Sequence, residues 1–146
     1  MNRGGGAAGR KVSAYDEGSV LLLTLGYVLL ALAVIFVCVC ATDLYITQKR
    51  LDALADAAAL AGADGFTLVV TDGAARAELT DAGVEEQAIA LVEEMTGEAT
   101  LVSAGSPDGV SARVTVAVDW RPPLLSPFVP HGVRLESTAT SRTALR

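Results

Sequence analysis

Between Glu17 and Asp43 stand 25 residues, Gly18–Thr42, with no Asp, Glu, Lys or Arg among them. Fourteen are Leu, Ile, Val or Phe; Ser19, Thr24, Gly26, Tyr27 and Thr42 are mild polar interruptions. A bilayer core about 30 Å thick needs about 20 such residues as a helix. At roughly −0.3 to −0.6 kcal/mol each, the fourteen sum to on the order of −6 kcal/mol for insertion. A soluble protein would have to bury this helix on every side, and some hundred remaining residues are too few to do so. The expectation is therefore a transmembrane helix over 18–42.

Cations flank the run on both sides: Arg3, Arg10 and Lys11 before it, Lys49 and Arg50 after it. The bias is slight, but the bulk of the chain follows the run. The N-terminus is expected in the cytoplasm and the C-terminal part outside it. The run exceeds the 7–15 residues of a cleavable signal, and Val39-Cys40-Ala41 is a weak cleavage site, so an uncleaved signal anchor is expected. The glycine-rich segment 1–17 reads as a flexible cytoplasmic tail.

The rest of the composition excludes other classes. A net charge of −6 and pI near 4.6 argue against a nucleic-acid partner, which would need a basic face. One histidine, His131, and two cysteines within the apolar run, Cys38 and Cys40, leave no material for a zinc site or a Cys–His pair, so no cofactor and no enzyme activity are expected. Two residues apart on a helix, the cysteines point away from each other and are read as apolar filler. The carboxylates Asp52 and Asp56 lie one helical turn apart and read as a solvated face. Trp120, ahead of Arg121-Pro122-Pro123, reads as a residue closing a strand edge.

The helical pattern does not stop at Thr42. From Asp43 to Ala61 there is neither Pro nor Gly, and Leu44, Leu51, Leu54, Ala58 and Ala61 form an apolar stripe. One helix of roughly 65 Å from about Ser19 to Gly62 is expected, its 43–63 part amphipathic. Phe66–Val70 reads as a strand and Thr71-Asp72-Gly73 as a turn. Val84, Ala88, Leu91, Val92 and Met95 mark a second helix, capped by Thr80 or Asp81 and stopped by Gly97; Ala74–Leu79 reads as an extension of it. Ala99–Ala104, Val110–Trp120 and Val133–Thr143 read as strands. The first two are joined by a five-residue turn, and the last is reached through a proline loop, Arg121–Gly132. The expected fold class is α+β: a long N-terminal transmembrane and amphipathic helix, then a small exported domain over 64–146. That domain holds one further helix and a sheet of three or four antiparallel strands.

Ala53, Ala57 and Ala61 make a row of small side chains at successive helical turns, beside Asp56. Two uses are open: packing under the protein's own sheet, or contact with a neighbouring subunit.

The run Glu17-Gly18-Ser19-Val20, the apolar span, Asp43-Leu44-Tyr45 and the segment Arg50-Leu51-Asp52-Ala53-Leu54-Ala55-Asp56-Ala57-Ala58-Ala59-Leu60-Ala61-Gly62-Ala63 together resemble the TadE/TadG-like family of Flp (tight adherence) pilus assembly proteins. The resemblance covers nearly a third of the chain. It implies a single-pass envelope protein of a pilus or secretion machine. Its implied partners are membrane lipid, other membrane proteins of the machine and further copies of itself. Prepilin-type processing would cut between Gly18 and Ser19. Processed family members place Glu five residues into the mature chain, where this sequence has Leu23, so no processing is expected. Two alternatives stay beside this reading: a membrane-tethered ligand-binding module, and a cleaved pseudopilin that enters a fibre.

Overall fold

A computed structural model describes residue 1 and residues 13–71, 73–95, 98–123 and 132–142. The chain divides into two compact units, Met1–Ala41 and Thr42–Arg146. The first helix, α1, runs from Ser13 to Asp64. It begins inside the segment read as a tail and ends two residues beyond Gly62.

In the first unit most of the described apolar side chains of α1 are exposed. Leu21, Leu22 and Val37 are 72, 70 and 63% exposed, and none of the most apolar stretch is buried. Thr24 hides its polarity by donating Oγ1 to the carbonyl of Val20 at 2.7 Å, one turn back.

In the second unit α1 acquires a buried face. Leu51, Leu54, Ala55, Ala58, Ala59 and Ala63 are at most 5% exposed. They share a core with Val84, Ala88 and Val92 of the second helix, α2 (Asp81–Met95), and with Ala112, Val114 and Val116 of a long strand. Thr80 caps α2: its Oγ1 accepts the Gly83 N–H at 3.2 Å, three residues on. Asp81 has a different task, accepting the Ser106 N–H at 2.7 Å. Gly97, expected as the stop of α2, lies outside the described residues.

The strands form two antiparallel sheets. The first is a hairpin of β1 (Thr67–Thr71) and β2 (Ala74–Glu78), in register from Thr67 opposite Glu78 to Thr71 opposite Ala74. Residues 74–79 are thus not an extension of α2. Alanine, arginine and glutamate favour a helix locally. The two-residue connection 72–73 overrides them, with Gly73 at a φ of 82° that suits a tight hairpin turn and ladders the segment onto the β-formers of β1.

The second sheet has the order β3–β4–β5, with β3 at Thr100–Gly105, β4 at Ser111–Trp120 and β5 at Val133–Arg142. β4 and β5 pair over their full length, Ser111 opposite Arg142 and Trp120 opposite Val133. β3 slips register between Leu101 and Ser103, leaving Val102 as a bulge 44% exposed. The inward side of β4 is Ala112, Val114 and Val116, as the alternation requires. Asp108 shapes the connection before β4. It accepts the N–H of Val110 at 3.0 Å, and the N–H and Oγ of Ser111 at 2.6 and 2.8 Å. These bonds hold its carboxyl below the usual carboxylate range, the Val110 N–H contributing most. Residues 124–131 of the expected proline loop, including His131, lie outside the described residues.

Candidate functional site: the outer surface of the second half of α1

The core side of α1 falls between the residues of the alanine row. Ala58 and Ala59 are buried, whereas Ala53 is exposed and Ala57 and Ala61 are half-buried at the margin. The row does not supply the floor of the sheet; Leu51, Leu54, Ala55, Ala58 and Ala63 do. Asp56 is exposed, and Leu60 is 58% exposed on the same side. Ala53, Asp56, Ala57, Leu60 and Ala61 therefore form a stripe at i, i+3, i+4, i+7 and i+8 that lies outside the core, exposed at Ala53, Asp56 and Leu60 and half-buried at Ala57 and Ala61. Small side chains there let another backbone approach closely, and Leu60 supplies apolar area.

Asp52, one position from this stripe, is a structural brace. Its Oδ1 accepts Gln48 Nε2 at 2.9 Å and Ser137 Oγ at 2.8 Å, and its Oδ2 accepts Lys49 Nζ at 3.1 Å. The bonds from Gln48, Ser137 and Lys49, in that order, hold its carboxyl below the usual range. The same Lys49 contact raises the ammonium above its ordinary value. The i, i+3 and i, i+4 spacing of Lys49 and Gln48 around Asp52 is visible in the sequence, whereas Ser137, 85 residues away, is not. A second tie lies nearer Thr42: Trp120 Nε1 donates to Asp43 Oδ2 at 2.8 Å. The sequence marked Trp120 as the close of a strand, and nothing in it signalled Asp43 as the partner.

Gly62 is the close-packed point of this part of α1. A Cβ placed there would stand 2.8 Å from Val84 Cγ1 and 3.3 Å from Ala112 Cβ. The sequence shows Gly62 only as a break in a run of alanines; the structure shows it as the place where α2 and β4 come against the helix. Gly65 and Gly83 meet in the same way, each Cβ position 2.9 Å from the other's carbonyl oxygen.

Gly18 and Ser19 sit within α1 with exposed surroundings, and Leu23 is 62% exposed. Cys38 and Cys40 are not bridged to each other. Among the described residues no group of three or more His, Cys, Asp or Glu is arranged to hold a metal ion. A cleft beside Leu51 and Leu54 is also lined by Arg50, Glu98 and Ala99.

These features define an α+β protein built on one long, apolar N-terminal helix, with its helices and an antiparallel sheet sharing a small core. Residues 18–65 match the family model Tad, described as putative Flp pilus-assembly TadE/G-like. The match begins at the Gly18-Ser19 pair and ends at Gly65, taking in the apolar run, the alanine row and the Gly62 contact. No curated protein and no solved structure matches the chain.

Proposed function

We propose that this chain is a single-pass membrane component of a Flp/Tad-type pilus assembly or secretion machine, acting through protein–protein contacts and not by catalysis. The observation that carries the proposal is the coincidence of the Tad match with an apolar helix whose most apolar stretch has no buried residue. Thirteen of the fourteen Leu, Ile, Val and Phe residues of the run are exposed and need a non-aqueous surrounding, which a bilayer supplies. On this reading the N-terminus is cytoplasmic and the α+β domain extracytoplasmic. The helix is retained uncut at Gly18-Ser19, because Leu23 leaves the position without the carboxylate that processed members carry.

The contact surface is the stripe of Ala53, Asp56, Ala57 and Ala61. Its position outside the core supports this assignment over self-packing, since a residue that packs beneath its own sheet would be buried as Ala58 is. A photo-crosslinker placed at Ala57 in the native envelope tests it. Adducts to another membrane component or to a second copy are expected, while the same label at Asp119 gives none. Equal labelling at both positions, or none at Ala57, overturns the surface.

A further inference from the structure

Trp120 is tied to the first charged residue after the apolar run. Its indole N–H donates to Asp43, which directly follows the charge-free stretch Gly18–Thr42. The tie belongs to a consistent alignment of the sheet along the helix. From Asp43 to Asp52 an α-helix rises about 13.5 Å. From Val133, paired with Trp120, to Ser137, bonded to Asp52, a strand rises about 13 Å. The end of the sheet bearing Trp120 and Val133 is thus level with Asp43, and its other end runs toward later turns of α1.

The residues at that end have the character of a water–lipid boundary. Trp120 has its polar N–H occupied by Asp43 and is only half-buried, so part of the ring is offered outward. Val133 is 48% exposed and Tyr45, two residues past Asp43, 64%. Arg121 is exposed beside Trp120. Aromatic side chains with one apolar and one polar part concentrate at headgroup depth. Among the described residues, the charged groups at this end are Asp43, Glu98 and Asp119 against Arg121 and Arg134, and Arg134 is paired with Glu136. That balance gives no net attraction to anionic lipid, so the surface suits a zwitterionic headgroup layer.

We propose that this end of the sheet is seated in the headgroup layer of the leaflet from which residue 43 emerges, with Trp120 as an interfacial anchor. The proposal rests on the membrane-span reading above and adds to it where the α+β domain sits. Trp120 is the sole tryptophan, so the emission of the full-length protein reports it alone. In phosphatidylcholine vesicles, a quencher carried on the headgroup or upper acyl chain is expected to cut that emission strongly, because belt tryptophans lie at that depth. A quencher near the chain ends has little effect, and aqueous acrylamide less effect than on the free indole. Replacing part of the lipid with phosphatidylglycerol leaves the quenching unchanged. Y45W in a W120F background moves the probe onto the helix and is expected to report the same depth. Protein that floats with the vesicles through an alkaline wash, yet whose Trp120 responds only to acrylamide, overturns the seating and leaves the span intact. Protein stripped from the vesicles by that wash overturns both.

Discussion

Ser137 Oγ donates a 2.8 Å hydrogen bond to Asp52 Oδ1, joining the last strand of the sheet to the helix that begins the domain. Asp52 also accepts from Gln48 and Lys49, so one carboxylate links two turns of α1 to β5. Replacing Ser137 with alanine is expected to lower stability by about 1 kcal/mol, the net worth of such a bond. Denaturant unfolding of the detergent-solubilised protein measures it. An unchanged midpoint would show that the bond is idle.

Such contacts contribute to the acid limb of stability, reduced by solvent screening. The carboxyls of Asp52 and Asp108 are held below their ordinary value in the folded state. Their contribution is complete above the unfolded carboxylate range, at about pH 4, and is lost as pH falls through the lower folded values. Stability should fall on acidification below about pH 4, and less so in D52N, which cannot titrate there. Lys49 runs the other way. Its raised value adds stability that is present below the ordinary lysine range and lost as pH rises through the folded value, but the side chain is 59% exposed and screening reduces its effect. Melting followed by circular dichroism from neutral to acid pH checks the sign.

Gly62→Ala puts a methyl group 2.8 Å from Val84 Cγ1. Val84 is fully buried and cannot swing away, so the helices must shift, at a cost of about 1–3 kcal/mol. A thermal scan showing no loss would mean that the contact between α1 and α2 is slack.

Ala57→Leu and Ala58→Leu separate surface from core on adjacent residues. Ala58 is fully buried, and the larger side chain there should destabilise the domain by about 1–3 kcal/mol. Ala57 is half-buried at the margin, and the same change there should leave the circular dichroism spectrum and melting near the parent while reducing capture of the partner. Loss of fold in A57L would return the alanine row to a packing role.

Thr80→Ala removes the oxygen that accepts the Gly83 N–H at the start of α2. A loss of about 1 kcal/mol is expected, as for other N-cap replacements. Faster hydrogen exchange at the amides of the first turn of α2 would locate the effect. Exchange that stays unchanged there would assign the cap elsewhere.

How far the sequence reaches depends on the range of the interaction that decides each element. The apolar helix was legible because its signal is a local sum: 25 residues without a formal charge leave few alternatives. α2, β4 and β5 were legible because each has one buried face whose period, 3.6 or 2, is written in the order of residues. The Tad resemblance was legible in consecutive residues for the same reason. Residues 74–78 form a strand against their local preference, because their helix-forming composition yields to a hairpin partner. Tertiary structure alone decided which alanines of α1 face the core, since a helix of many alanines carries little angular contrast and the sheet selects its face. It also decided that Gly62 is a contact point, that Asp52 meets Ser137, and that Trp120 meets Asp43. Each of these is a pairing between positions distant in the chain, and residue order states neither partner until packing brings the two side chains within bonding distance.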